Sequence, residues 1–396
     1  MKLTIAVAYS GGLDTTWLTA LLSKNHQVTA YMVDTGGFTE SDIDNAQQRA
    51  LAAGASKFIC VNESETYYNK VIKYMIFGNI LKNNTYPLSV SAERIIQAIS
   101  IAEYAKNNNY NAIAHGCTGA GNDQVRFEMV FNILCPHIKI LAPVREQNIS
   151  RAQEIEYLKA AGIKMNFEKA KYSINKGLWG TSVGGAETLK SNGVLPDSAY
   201  PTQLSKSEPE TLSVGFCEGE ICMVNGTEFQ SKVEAIKAVE AIAGAFAIGR
   251  DTHIGDTIIG IKGRVGFEAA APLVLIKAHH ALEKHVLTKW QLYWKENLSL
   301  WYGNRLHEGM LLDPEMRDIE QFFQSSQQKV TGTVNIQLMP YHLRITGIQS
   351  AHDLMNSDFG TYGEDNKAFT ANDIIGFTKV SGLQSKIWYT INNENY

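Results

Sequence analysis

The 396-residue sequence has no apolar run as long as a membrane span requires. It also lacks an N-terminal stretch with a basic start, an apolar middle and a small-residue cleavage site. These absences give the expectation of a cytoplasmic protein with no membrane partner. Basic residues are not in excess: 36 Lys and Arg against 40 Asp and Glu leave a net charge of -4, so no cationic face for nucleic acid is expected. Cysteine is scarce. Cys60, Cys117, Cys135, Cys217 and Cys222 are odd in number and contain no Cys-x-x-Cys, which argues against a zinc site or a disulfide framework and for small core residues in a reducing compartment. No internal repeat or low-complexity segment is present. What remains is a globular composition, 44% hydrophobic and 19% charged, on a chain long enough for two domains with a core each.

The chain is organised around Ala8-Tyr9-Ser10-Gly11-Gly12-Leu13-Asp14-Thr15-Thr16. An apolar run from Leu3 to Ala8 has the length of a buried strand, and Leu13, Trp17, Leu18, Leu21 and Leu22 share one helical face. A strand therefore stops, two glycines turn and a helix starts. Free amides at a helix N-terminus beside glycines make an anion site, to which Ser10, Thr15 and Thr16 add hydroxyls. Read without context, Ser10 or Asp14 can equally be a helix cap.

Strand-helix alternation continues: Val28 to Val33 and Phe58 to Val61 read as strands, Ile43 to Ala53 as a helix ending at Gly54. A long helical pattern runs from Tyr68 to Ile80, and another helix from Ala92 to Ala105. That alternation predicts a parallel sheet covered on both faces. Ala112-Ile113-Ala114 then leads into a second glycine loop, His115-Gly116-Cys117-Thr118-Gly119-Ala120-Gly121, followed by Asn122 or Asp123 as the cap of the next helix. Ligands of open α/β sheets bind at the carboxyl ends of strands, so the two loops are expected to face one crevice. This half reads as a nucleotide-binding domain over 1–165.

The second half, 166–375, reads as α+β. Hairpin signals fill Leu212 to Phe229, a helix follows over Val233 to Ala245, and Thr257 to Phe267 is strand-rich. One amphipathic helix is expected from Leu273 to roughly Trp301, and two strands over Val330 to Ile348. His279, His280 and His285 read as packed or solvated rather than metal-binding. Ser381 to Tyr396 shows no clear amphipathic helix, within a C-terminal segment 376–396.

Ser-Gly-Gly-Leu-Asp-Thr resembles the pyrophosphate loop of ATP pyrophosphatases. Together with Gly-Asn-Asp-Gln-Val-Arg-Phe-Glu (residues 121–128) and Tyr172-Ser173-Ile174-Asn175-Lys176-Gly177-Leu178-Trp179-Gly180-Thr181-Ser182, the chain resembles the argininosuccinate synthase family, strongly over its first half and more loosely beyond Tyr200. The resemblance implies an ATP pyrophosphatase-type α/β domain followed by a synthetase domain. It implies ligation of citrulline to aspartate through a citrullyl-adenylate, with release of AMP and pyrophosphate, use of ATP and Mg²⁺, and a homotetramer assembled partly through C-terminal segments.

Carried over by position, Ala8, Tyr9, Ser10, Gly11, Gly12, Asp14, Thr15 and Thr16 hold ATP. Val33 lies near the base, and His115, Gly116, Cys117 and Gly119 complete the nucleotide pocket. Thr118, Asn122 and Asp123 match aspartate contacts; Tyr86, Ser91, Asn122, Arg126, Ser173 and Ser182 match citrulline contacts. Asp14, Asp123 and Arg126 are the expected catalytic residues, with Asp14 the nearest candidate for a metal whose ligands are otherwise unknown. The chain departs from the family pattern at four places, one of them Ser89 where a Gly is usual. Ala120 stands where many members carry Lys, which leaves Lys176 or Arg264 to supply a phosphate cation. Gly255 falls where the family has a Glu facing citrulline, and Phe267 where it has a Tyr. Either Asp256 or Glu268 replaces that carboxylate, or the substrate is an N-acylated citrulline that needs none. A tRNA thiolase built on the same loop and a non-catalytic ATP-binding paralogue are the rival readings.

Overall fold

In the computed structural model, which describes residues 2–119, 121–147, 149–165, 172–355 and 368–393, the expected alternation is present from the first strand. The N-terminal elements are β1 (Thr4–Ala8), α1 (Leu13–Ser23), β2 (Gln27–Asp34), α2 (Glu40–Ala52) and β3 (Lys57–Asn62). Next, α3 (Ser64–Tyr67) runs through a π turn (Tyr68–Ile72) into α4 (Lys73–Phe77), so the predicted long helix is one interrupted rod. Then come α5 (Ser89–Asn107), β4 (Ala112–Ala114), α6 (Asp123–Leu134), β5 (Lys139–Leu141), α7 (Pro143–Glu146) and α8 (Arg151–Ala160).

The five strands form one sheet in the order β3-β2-β1-β4-β5, and all its pairs are parallel. Alternate side chains show why these runs are apolar throughout. Ala6, Tyr31, Val33 and Ile113 enter one core while Ile5, Val7, Met32 and Ala114 enter another, so both faces of the sheet are covered.

Beyond it lie β6 (Ser173–Gly177), β7 (Gly180–Gly184), β8 (Glu210–Cys217), β9 (Glu220–Val224), β10 (Thr227–Glu228), α9 (Lys232–Gly244), β11 (Arg250–Asp256), β12 (Lys262–Glu268), α10 (Ala270–Val286), α11 (Lys289–Glu308), α12 (Pro314–Gln327), β13 (Gly332–Met339) and β14 (His342–Gln349). They make two antiparallel sheets, β10-β9-β8-β13-β14 and β11-β12-β7-β6.

Four expectations are corrected. The single helix expected from Leu273 is two, because Thr288 and Gln291 form a capping box that starts α11 afresh. The strand-rich reading of Thr257 to Phe267 spans a turn: Thr257 to Ile261 connects β11 to β12, with Gly260 at φ +84°. Cys217 and Cys222 are a disulfide pair, Cα atoms 6.0 Å apart, across the β8–β9 turn, where a register shift beside Phe216 re-aims the second strand. The C-terminal segment does form helices.

Residues 1–351 make one compact unit and 352–396 a second. The second unit contains α13 (Ala371–Ser381) and α14 (Leu383–Asn392), and a Thr370–Asp373 capping box begins the first of them. Ala120 and the boundary residues 166–171 lie outside the described residues.

Candidate active site

β1 and β4 are neighbours, with Val7 opposite Ala114, so the loops beginning at Tyr9 and His115 leave the sheet side by side. They touch: a Cβ added at Gly116 would lie 3.3 Å from Thr15 Cγ2 and 3.4 Å from the Asp14 backbone carbon. Between them opens a cavity of about 1030 Å³. Ala8, Tyr9, Ser10, Gly12, Asp14 and Thr15 line one side, and His115, Gly116, Cys117, Thr118 and Asp123 the other. Val33 reaches it from β2. This is the carboxyl-end crevice expected where strand order reverses.

Gly11 adopts φ +76° and approaches α2 so closely that a Cβ would sit 3.0 Å from Ala46 Cβ. Gly12 caps α1 without a side-chain bond, leaving the amides of the first turn free to face an anion. Ser10 and Thr15 hydroxyls lie 3.2 Å apart at this end. Thr16 differs: its hydroxyl is buried, donates to the Gly12 carbonyl at 2.7 Å and sits 3.1 Å from Tyr9 Oη, so it braces the turn from behind.

In the second loop His115 is buried and neutral. Its Nδ1 accepts from the Cys117 amide at 3.3 Å, so the other nitrogen carries the proton and donates to Glu128 at 3.1 Å. Burial accordingly lowers its pKa. Burial also pushes the Cys117 thiol up to about 12, which makes it a poor nucleophile. The Gly119 carbonyl accepts from Gln124 at 2.6 Å.

Asn122 stands at the N-cap of α6, one of the two positions expected, but its side chain makes no cap bond. The Asn122 side-chain oxygen instead accepts from the Ile258 amide at 2.8 Å, tying the loop to the β11–β12 turn. Asp123 lies between two guanidinium groups, 3.2 Å from Arg94 Nε and 2.7 Å from Arg126 Nη1. Burial raises its pKa, but Arg94 and Arg126 outweigh that and hold it below the usual carboxylate range. The remaining fork of Arg126 donates twice to the His307 carbonyl, at 2.9 and 2.8 Å.

The residues matched to citrulline divide into two groups. Ser173 lines the cavity. Asn122 and Arg126 are outside its lining, as are the buried Tyr86, Ser91, Ser182 and Phe267. Ser91 donates to the Leu88 carbonyl at 3.2 Å, and Tyr86 packs between Phe267, ring centroids 5.3 Å apart, and His253 at 4.9 Å. The His253 ring lies over Gly255, where a Cβ would meet its Nε2 at 2.8 Å. The proposed substitute carboxylates are engaged elsewhere: Asp256 pairs with Lys262 at 2.6 Å, and Glu268 accepts from the Thr202 hydroxyl at 2.9 Å.

Residues 4–164 match the family described as arginosuccinate synthase N-terminal HUP domain, and residues 172–388 match its C-terminal domain. The chain is 35% identical to the argininosuccinate synthase of Methanocaldococcus jannaschii over 393 residues, 98% of each chain. It is 35% identical to that of Dictyoglomus turgidum over 97% of each, and 32% identical to that of Bacillus cytotoxicus over 99% of this chain and 98% of the relative. The chain belongs to the argininosuccinate synthase family.

Membership makes it a ligase, with a HUP-type parallel sheet as its N-terminal domain. An argininosuccinate synthase must place cations around a triphosphate, and the lining supplies Arg49, Arg151 and Lys176. Arg264, the other candidate for the charge missing at Ala120, is instead bonded to the carbonyls of Lys190 and Gly193. Sequence reasoning missed Arg49, Arg151, Glu93 and Arg94. Glu93 and Arg94 carried a usable signal, being an adjacent charged pair inside the otherwise uncharged run from Val90 to Ala102.

Proposed function

We propose that the chain joins citrulline to aspartate in two steps within the cavity between the two glycine loops. ATP lies along the first turn of α1, its triphosphate facing the free amides and Ser10 and Thr15, with Arg49, Arg151 and Lys176 opposing the phosphate charge. The citrulline ureido oxygen attacks the α-phosphorus and pyrophosphate leaves. Aspartate, held through Thr118 and Asp123, then displaces AMP. The observation that supports this reading is the contact between the two loops at Gly116 and Thr15, with the first turn of α1 and Asp123 lining one cavity.

Mg²⁺ fits the residues present. Glu154 Oε1 is buried without a hydrogen-bond partner, and burial with the neighbouring Asp14 carboxylate raises the Glu154 pKa to about 8. A divalent cation is the natural replacement for the proton such a pair retains, and Asp14 with Glu154 would hold it alongside phosphate oxygens. Bound there, it would neutralise the leaving pyrophosphate.

A second reading keeps the chemistry and takes an N-acylated citrulline. It is favoured by the surroundings of Tyr86, one of the residues matched to citrulline, where His253 and Gly255 bring no carboxylate and Asp256 and Glu268 are engaged. A pyrophosphate-release assay with citrulline or N-acetylcitrulline, with and without aspartate, tests both. Release that needs citrulline, and ligated product that needs aspartate, supports the first. Release with neither ureido substrate present, or none under any condition, removes both.

We place the enzyme in the cytoplasm and in a homotetramer; among the described residues no helix is long and apolar enough to cross a membrane. The support for assembly is the second unit, where Ile375, Phe377, Val380 and Ile391 are each at least 63% exposed on helices with no buried residue. A chain ending at Ala351 is expected to elute smaller than one-chain shortening explains. Full-length and shortened chains of the same subunit number by light scattering would contradict this.

A further inference from the structure

Four carboxylates line the cavity among the described residues: Asp14, Asp42, Glu93 and Asp123. Glu93 is the least exposed of the four, at 1%, and the mechanism above does not use it. Its Oε2 accepts from Thr35 Oγ1 and its Oε1 from Arg94 Nη1, both at 2.9 Å. The β6–β7 hairpin closes directly over it, since a Cβ on Gly177 would fall 2.1 Å from Oε2. Arg94 also donates through Nε to Asp123 at 3.2 Å and through Nη1 to Gln97 at 2.9 Å. One guanidinium thus holds Glu93 beside the carboxylate assigned to the aspartate ammonium.

These two carboxylates have opposite environments. Asp123 has a guanidinium on each side, which keeps it ionised and makes it a weak base. Glu93 has one, with the Thr35 hydroxyl opposite, Asp123 and Asp34 adding negative charge, and Tyr67 packed nearby. Burial, opposed by Arg94 and Thr35, raises its pKa to about 7. Two acids driven apart in this way divide the roles of anchor and proton acceptor.

We propose that Glu93 is the general base that takes the proton from the α-ammonium of the incoming aspartate. The inference rests on the two-step reaction proposed above. Glu93 accepts one proton, and the lone pair released on nitrogen forms the bond to the central carbon of the adenylate's cationic isouronium group. The carbon-oxygen bond to AMP breaks with its electron pair on the phosphate oxygen, which takes the second proton of the attacking nitrogen. The guanidinium of the product and a protonated Glu93 remain. The carboxylate form is the active one, so the rate of this step falls as pH drops below about 7.

The test separates the half-reactions in the full chain. Glu93→Gln is expected to keep ATP- and citrulline-dependent pyrophosphate release within a few-fold of wild type, which also reports a folded nucleotide site. The aspartate-dependent step should slow about 10²- to 10³-fold at pH 7. In wild type that step should level off above about pH 8, whereas in Glu93→Gln it should keep rising as solvent deprotonates the amine, and Glu93→Asp should recover part of the loss. Loss of pyrophosphate release in Glu93→Gln, with wild type active, would assign Glu93 to citrulline or to structure and overturn the proposal. An unchanged aspartate step would overturn it too. A wild-type chain without citrulline-dependent release would strike the two-step reading itself.

Discussion

Asp123→Asn is expected to lower kcat/KM for aspartate by roughly 10³-fold, about 4 kcal/mol of transition-state stabilisation, while citrulline-dependent pyrophosphate release falls far less. The asymmetry comes from the position of the carboxylate. Its oxygens bind Arg94 and Arg126, and its exposed edge, 40% accessible, faces the cavity where an ammonium would dock. An amide keeps the volume but removes the charge, so the ammonium loses its counter-ion, Arg126 loses its own, and Arg94 is left with Glu93 alone. Single-turnover measurements, with adenylate formed first and aspartate added second, resolve the effect. Equal losses in both steps would mean that Asp123 organises the whole wall rather than one substrate.

Lys295→Met is expected to destabilise the fold by about 3–5 kcal/mol, the range for breaking one partner of a buried ion pair. Lys295 and Glu283 lie 2.9 Å apart at 1% and 0% exposure, between α10 and α11. Glu283 also accepts from Asn79 at 2.6 Å and Gln327 at 2.8 Å, and Lys295 donates to the Phe77 carbonyl at 2.8 Å. Burial alone would raise the Glu283 pKa; Lys295 and His279 lower it overall. In wild type this pair therefore contributes stability above the unfolded carboxylate pKa and loses it as pH falls. Without Lys295 the sign reverses: burial raises the pKa, and the variant loses stability as pH rises through that raised value. Denaturation at pH 5 and pH 7 should show a smaller deficit at pH 5. Adding Glu283→Gln should recover much of the loss, and a double variant no more stable than the single would refute the ion-pair explanation.

The parallel sheet and both loops were legible because their signals are local. Apolar runs of strand length ended in glycines, and one helical face followed each. The break between α10 and α11 was written in Thr288 and Gln291, but the apolar spacing continues across it and masks the cap. The network Glu93–Arg94–Asp123–Arg126–His307 was not legible as a whole. Its last link joins residues 181 apart, and the acceptor there is a main-chain carbonyl, a group with no sequence signature. The same holds for His253 over Gly255. The sequence locates a missing side chain but does not show that a ring two residues earlier has filled the space.

The central seam of the parallel sheet joins residues 5–7 to residues 112–114, whereas β1–β2 pairs residues 4–8 with 27–31. A chain emerging from the ribosome can therefore zip β1 to β2 early, leaving the far edge of the strand that carries the phosphate loop bare while the residues from Asp34 to Ala114 are made. That edge is apolar and unprotected, the kind of surface on which nascent chains stick to one another. Translation pauses or truncations before Ala114 should thus yield insoluble product, while interruptions soon after Leu141 release a chain whose five strands can all pair.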